Sequence, residues 1–282
     1  MTSLSRRELL LGGSALLLLA GCGGPSIPTP TASPTGSIRS QLDEALRTIS
    51  GGSQAFGVAI HDLRSGVDYG FNPGYNSQSA SIAKPMIVLM AQRQARATGG
   101  GALTPEQVEL ATKAITESDN DSADALWEFG GRSNAYTELA GELAMPETHH
   151  DPARDFWSWT WTTPSDQVLL LTRLTEGSPA ITAEEGAFVW QLMGEVEDAQ
   201  AWGVGAPRSE SVTAHLKNGW VEFESTDGLW AVNSIGQVTG DSRDYRMAIM
   251  TRTPDFDTGR ETCNAVGQWV FDILGSGPIE AA

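Results

Sequence analysis

Lysine is scarce in this chain of 282 residues: Lys84, Lys113 and Lys217 stand against fifteen arginines. Arginine stays charged in proteins, whereas a lysine amine loses its proton when it is desolvated or set beside another cation. A chain that draws its positive charge from arginine, yet keeps lysine at a few places, points to amines that titrate there. Positive charge is short altogether, with a net charge of −17 and a pI near 4.5. No basic stripe is available for phosphates, which argues against a nucleic-acid partner. Nor is any run of like charge long enough for a disordered acidic tail, so the acidity reads as a solvated surface. Two cysteines, Cys22 and Cys263, make no disulfide framework if the first is used elsewhere. The Gly-x-Ser-x-Gly elbow that accompanies one kind of Ser-His-Asp hydrolase is missing. Histidine is also rare. His149-His150-Asp151 lacks the spacing of a metal site and has no cysteine beside it, so no metal and no cofactor is expected. His61 and His215 fall on predicted strands and read as structural. No internal repeat is visible.

What is present at the N-terminus is an export pattern. Arg6-Arg7 precedes an apolar run that ends in Leu19-Ala20-Gly21-Cys22. The run is too short for a stable membrane span and suits a cleaved signal over residues 1-21. The arginine pair resembles a twin-arginine signal, and Leu-Ala-Gly-Cys resembles a bacterial lipobox whose cysteine is diacylated. Lipid on Cys22 would hold the exported protein at the outer face of the bacterial cell membrane, the membrane being one expected partner. Residues 22-36 are nearly all Gly, Pro, Ser and Thr, which cannot build a core and read as a tether. Cys263, in a predicted C-terminal helix, reads as a small buried hydrophobe.

The folded part is expected over 37-282. Ile38, Leu42, Leu46 and Ile49 have helical spacing. Phe56 to Asp62 and Val67 to Phe71 read as a hairpin about Arg64-Ser65-Gly66. Helical signals dominate from Ser81 to about Glu195, with starts at Thr104-Pro105-Glu106-Gln107 and Thr163-Pro164-Ser165-Asp166. Strands return at Val212 to Leu216, Leu229 to Val238 and Tyr245 to Thr251, and a helix closes the chain over Asp257 to Leu274. The pattern predicts an α+β fold: a mixed antiparallel sheet built by both chain ends (37-76 and 211-282), terminal helices on it, and an inserted helical part (77-210). A cleft is expected between sheet and helices.

Two of the lysines sit in short motifs. Ser81 and Lys84, in Ser81-Ile82-Ala83-Lys84, lie three positions apart and share a helix face. A serine hydroxyl attacks only when a base takes its proton, and a lysine held near neutrality can do so. Lys217 is the candidate second cation that would keep it there. Pro85 favours placing Ser81 to Lys84 in a first helical turn. Ser118-Asp119-Asn120 falls between two predicted helices, where such residues commonly cap. Lys217-Asn218-Gly219 falls on a strand, where glycine permits close approach of another backbone. Each motif alone has an ordinary structural explanation; the three in this order do not.

Ser-x-x-Lys, Ser-Asp-Asn and Lys-x-Gly in sequence resemble the class A β-lactamases and penicillin-binding proteins, and from Ser37 onward the chain looks like a member of that superfamily. The resemblance implies a β-lactamase/transpeptidase-like fold and an exported serine hydrolase that forms an acyl-enzyme on a small-molecule or peptide substrate, either a β-lactam or a D-alanyl peptide of the cell wall. It implies Ser81 as nucleophile, Lys84 as its base, Ser118 as proton relay to the leaving nitrogen, and Asn120 as the amide orienting Lys84 and substrate. Lys217 would hold Ser118 and the substrate carboxylate, with Asn218 and Gly219 bordering the substrate. Backbone N–H groups of Ser81 and Trp220 would form the oxyanion hole.

Two departures bear on the substrate. Asn218 stands where the family has Thr or Ser, a bulkier donor to a carboxylate. The segment after Ser-Asp-Asn has Glu147 but no Glu-x-x-Leu-Asn run around it, so Glu147 reads as a solvated turn before a deacylation base, and slow or absent β-lactam turnover is expected. Trp157-Ser158-Trp159-Thr160-Trp161 would present three indoles on one face if it is a strand, as core or as a platform at the cleft. The alternative in another class is a non-catalytic lipoprotein that binds cell-wall fragments or serves as a scaffold.

Overall fold

The computed structural model describes residues 36–151, 153–154, 156–207, 209–222 and 228–281. The export signal, Cys22 and most of the tether lie outside the described residues. Among those described, no helix is long and apolar enough to cross a membrane.

The described residues begin with α1 (Ile38–Ser50), capped by the Ser37 hydroxyl, and pass into the hairpin β1 (Phe56–Asp62) and β2 (Val67–Phe71). A short strand, β3 (Ser77–Gln78), and a 3-10 turn over Ala80–Ala83 lead into α2 (Lys84–Ala97). Then come α3 (Pro105–Thr116), α4 (Asn120–Gly130) and α5 (Arg132–Glu142). β4 (His149–His150) and β5 (Thr160–Thr162) precede α6 (Pro164–Glu176) and α7 (Ala183–Gly194). The chain returns through β6 (Thr213–Glu222), β7 (Trp230–Gly240) and β8 (Arg243–Thr253) to α8 (Phe256–Leu274).

The main sheet has the order β2-β1-β8-β7-β6, each neighbour antiparallel, so strands from both ends of the chain form it. α1 and α8 bury their apolar faces on one side, with Leu42, Leu46, Val266 and Val270 against Val58, Ile60 and Ile249. The helices from α2 to α7 build a second core centred on α2. Every residue of α2 from Lys84 to Gln92 is buried, because that helix is surrounded by others and needs no polar face. α3 and α7 begin with complete capping boxes, Thr104 with Gln107 and Thr182 with Glu185, which fix where those helices start.

Local structure differs from expectation in two places. The helical part also carries a small sheet in the order β3-β5-β4, whose strands are too short to leave a periodic signature. The tryptophan segment is not one strand. Trp157–Trp159 forms a 3-10 turn and only Thr160–Thr162 is extended, so the three indoles do not share a face. Trp157 turns inward and bonds to Asp124, while β5 is held between β3 and β4.

Cys263 is buried, and burial pushes its thiol well above the ordinary range, as suits a packing residue. His61 bonds Asp68, His215 stacks on Trp190 with centroids 4.6 Å apart, and His150 Nε2 sits 3.0 Å from the Phe156 carbonyl oxygen. Among the described residues no cluster of three or more His, Cys, Asp or Glu could hold a metal.

Candidate active site

Ser81 sits in the 3-10 turn rather than in the α-helix itself. Pro85 has no N–H to give to the Ser81 carbonyl, so the α-helical ladder starts later and the Lys84 N–H closes a tighter bond to Ser81. Residues three apart eclipse in such a turn, which keeps Ser81 and Lys84 on one side. Ser81 is 9 % exposed, so its hydroxyl sits just below the surface. Ala80, immediately before it, has φ 50°, a conformation costly for a residue with a Cβ.

Ser118 lies in the link between α3 and α4. Asp119 caps α4 by accepting from the Ser122 N–H, so Asn120 is the first helical residue. Ser118 has φ 61°, and this left-handed turn aims both its carbonyl and its hydroxyl at Lys84. The Lys84 Nζ donates to the Ser118 carbonyl oxygen at 2.6 Å, the Ser118 Oγ at 3.3 Å and the Asn120 Oδ1 at 2.9 Å. Lys217, fully buried on β6, donates to the same Ser118 Oγ at 2.9 Å and to the Asn218 carbonyl at 2.9 Å. Two buried amines thus converge on one hydroxyl.

Burial lowers the pKa of Lys84 to about 7, against the opposing pull of Asp119 and Asp124. Burial also carries the Lys217 ammonium well below the lysine range, and the charge on Lys84 adds to that. Burial thus brings the Lys84 amine close to neutrality, where a general base at neutral pH would have to titrate.

β6 is the edge strand, and Lys217 and Gly219 face the Ser81 turn together because they are two residues apart. A Cβ on Gly219 would lie 2.6 Å from the Ser81 backbone N, 2.7 Å from the Ile82 N and 2.9 Å from the Ser79 carbonyl oxygen. Glycine is what lets the strand edge close on the serine turn. Asn233 on β7, opposite Gly219 in register, donates to the carbonyls of Gln78 and Ser79 at 2.9 and 3.1 Å and ties that turn to the sheet. Sequence reading missed this residue; its signal is the polar pair Asn233-Ser234 between Ala231-Val232 and Ile235.

Asn218 is placed otherwise than expected. Its side chain points away from the Ser81 turn and is fully buried. Its amide donates to the carbonyls of Gln200 at 2.6 Å and Trp202 at 3.1 Å. Both amide hydrogens are spent on backbone, so Asn218 braces β6 and offers a substrate carboxylate nothing from that group. The Trp220 ring faces the same way and packs on Phe256 and Trp202, leaving only its backbone toward the serine side. Glu147 is exposed, and what ties it into the fold is its backbone N–H to Asp166 and its carbonyl to Asn76. The side chain set against Lys84 is instead Trp157, whose ring centre lies 4.8 Å from Nζ.

Comparisons agree with this architecture. A class A beta-lactamase representative from Bacteroides cellulosilyticus superposes with a TM-score of 0.70 at 18 % identity, covering 86 % of this chain and 100 % of that one. The beta-lactamase from Sphaerobacter thermophilus gives 0.68 at 19 % identity, covering 86 % and 98 %. The class A beta-lactamase from Mycobacterium abscessus gives 0.68 at 20 %, covering 83 % and 99 %. At such identities the likeness is one of fold. No curated protein matches the sequence. The model of the Beta-lactamase enzyme family matches residues 99–274, well over half of the chain, and with the fold now in place the conclusion is direct: the chain belongs to the beta-lactamase enzyme family.

Proposed function

We propose that the protein is a serine acyl hydrolase that opens a β-lactam or a D-alanyl peptide amide through an ester on Ser81, and that this ester is hydrolysed slowly. The reading is carried by the convergence of Lys84, one helical turn after Ser81, and Lys217 on the Ser118 Oγ. Neutral Lys84 takes the Ser81 proton as Oγ attacks the carbonyl carbon. Backbone N–H groups at Ser81 and Trp220 receive the developing oxyanion, the glycine between Asn218 and Trp220 keeping that strand edge close. The C–N bond breaks as Ser118 gives its proton to the nitrogen and recovers one from Lys84. An incoming carboxylate restores the charge of Lys217 and is held by it. No Ser81–Lys84 hydrogen bond is among the described contacts, and catalytic bonds commonly shorten only around a substrate.

The slow-hydrolysis part of this reading is supported by Glu147, which is exposed. Intact-protein mass after mixing with a fluorescent penicillin tests the reading. A long-lived adduct on the wild type and none on Ser81→Ala is expected. A short-lived adduct with rapid drug loss would make it an efficient β-lactamase. No adduct at any pH would favour a protein that only binds cell-wall fragments.

A further inference from the structure

Asn120 and Asp124 stand four residues apart on α4 and so share a face. The first uses its Oδ1 on Lys84, at 2.9 Å. One turn along, the Asp124 Oδ1 accepts the Trp157 indole N–H at 2.5 Å, a bond strengthened by the carboxylate charge. That indole is 6 % exposed although Asp124 itself reaches solvent. The Lys84 Nζ lies within hydrogen-bond distance of two oxygens of Ser118 and one of Asn120. The indole ring lies against the same amine, and its turn packs against the turn that carries Ser81.

This arrangement bears on the lifetime of the Ser81 ester and rests on the reading proposed above. We propose that Trp157, pinned by Asp124, is a positioning residue that covers Lys84 and keeps water from the ester. When the indole swings away, a water oxygen bonds to the ester carbonyl carbon and its proton passes to the neutral Lys84 amine. The C–Oγ bond then breaks and Oγ takes that proton from Lys84, releasing the free acid. Water and the ester supply every atom of this step.

Fluorescent penicillin is the probe, with acylation and ester loss timed separately by intact mass on the full chain. Trp157→Phe keeps a ring and drops the N–H; Asp124→Ala removes the acceptor. Ester lifetime should fall about tenfold in both, as expected for loss of one part-buried charge-assisted bond, with acylation of each variant compared at its own high-pH plateau. Asp124→Asn keeps an acceptor oxygen without the charge. It should shorten the lifetime less than Asp124→Ala and, like that variant, move the acylation pH profile to lower pH, because one carboxylate facing Lys84 is gone. Asp119, from the link before α4, and Lys217, from β6, still face the amine in that variant. Melting curves verify that each variant is folded, and Trp157→Phe is the mildest change. Unchanged lifetimes in Trp157→Phe and Asp124→Ala overturn the proposal. So does loss of acylation in either, since that would put the pair in ester formation. Absence of an adduct on the wild type instead sinks the ester reading, and this inference with it.

Discussion

At the scale of single residues, Lys84 is decisive because it meets three oxygens and is still fully buried. Burial wins, and its pKa falls to about 7. The amine is protonated below that pH and free above it, so acylation should rise as pH climbs through about 7 and then level off. Lys84→Arg should abolish acylation at every accessible pH, since a guanidinium does not give up its proton. Acylation rates followed with a fluorescent penicillin test both; a profile flat across neutrality would show that Lys84 is not the base. The same shift acts on stability. Between pH about 7 and the ordinary lysine value of 10.5 the unfolded chain holds the proton that the folded one has lost, so Lys84 makes stability rise with pH across that window. The left-handed backbone at Ala80 and Ser118 adds local strain beside the same groups.

At the scale of elements, the site is a meeting of three backbones: the turn at Ser81, the link at Ser118 and the edge of β6. Gly219 sets how close the strand comes to the turn. Alanine there would press its Cβ against backbone atoms of Ser79, Ser81 and Ile82, none of which can rotate away. Gly219→Ala should push the strand outward, at a cost of about 1–3 kcal/mol in stability. Acylation should fall about 10²–10³-fold, the scale of losing an oxyanion donor. Chemical denaturation and acylation kinetics measure the two effects. Wild-type acylation in this variant would mean that the edge of β6 does not serve the serine. The role of α4 is similar: its first turn delivers Asn120 to Lys84 and its second delivers Asp124 to Trp157.

At the scale of the molecule, both chain ends build the sheet, so the fold must lock them together. Asp62, with a fully buried side chain at the end of β1, receives Arg64 through Nε and Nη2 and the Ile279 N–H from the C-terminal tail. Arg64 in turn donates to the carbonyls of Ser242, Leu274 and Gly277. Burial pushes the Asp62 pKa up, but Arg64 and the backbone N–H groups outweigh it and hold the carboxyl below its usual range. Its stabilising contribution is therefore present above the ordinary carboxylate value and lost as pH falls below it. Asp62→Ala leaves Arg64 without its carboxylate and the Ile279 N–H without its acceptor and should cost about 3–5 kcal/mol, read as a lower midpoint in urea. Wild-type stability would mean that the chain ends are held by packing alone.

Much of this was legible in residue order. The hairpin of β1 and β2, the capped starts of α3 and α6 and the final helix depend on short-range periodicity and capping, which neighbouring residues control among themselves, whereas the grouping of Ser81, Lys84, Ser118, Asn120 and Lys217 was implied by the resemblance of three ordered motifs to a known family. Tertiary structure alone decided the rest. Whether Asn218 faces substrate or backbone, which of three indoles reaches Lys84, and that Asn233 pins the serine turn are choices between partners tens to hundreds of residues away. A side chain's identity states what bonds it can make; only the packed fold determines which group is near enough, and dry enough, to take them.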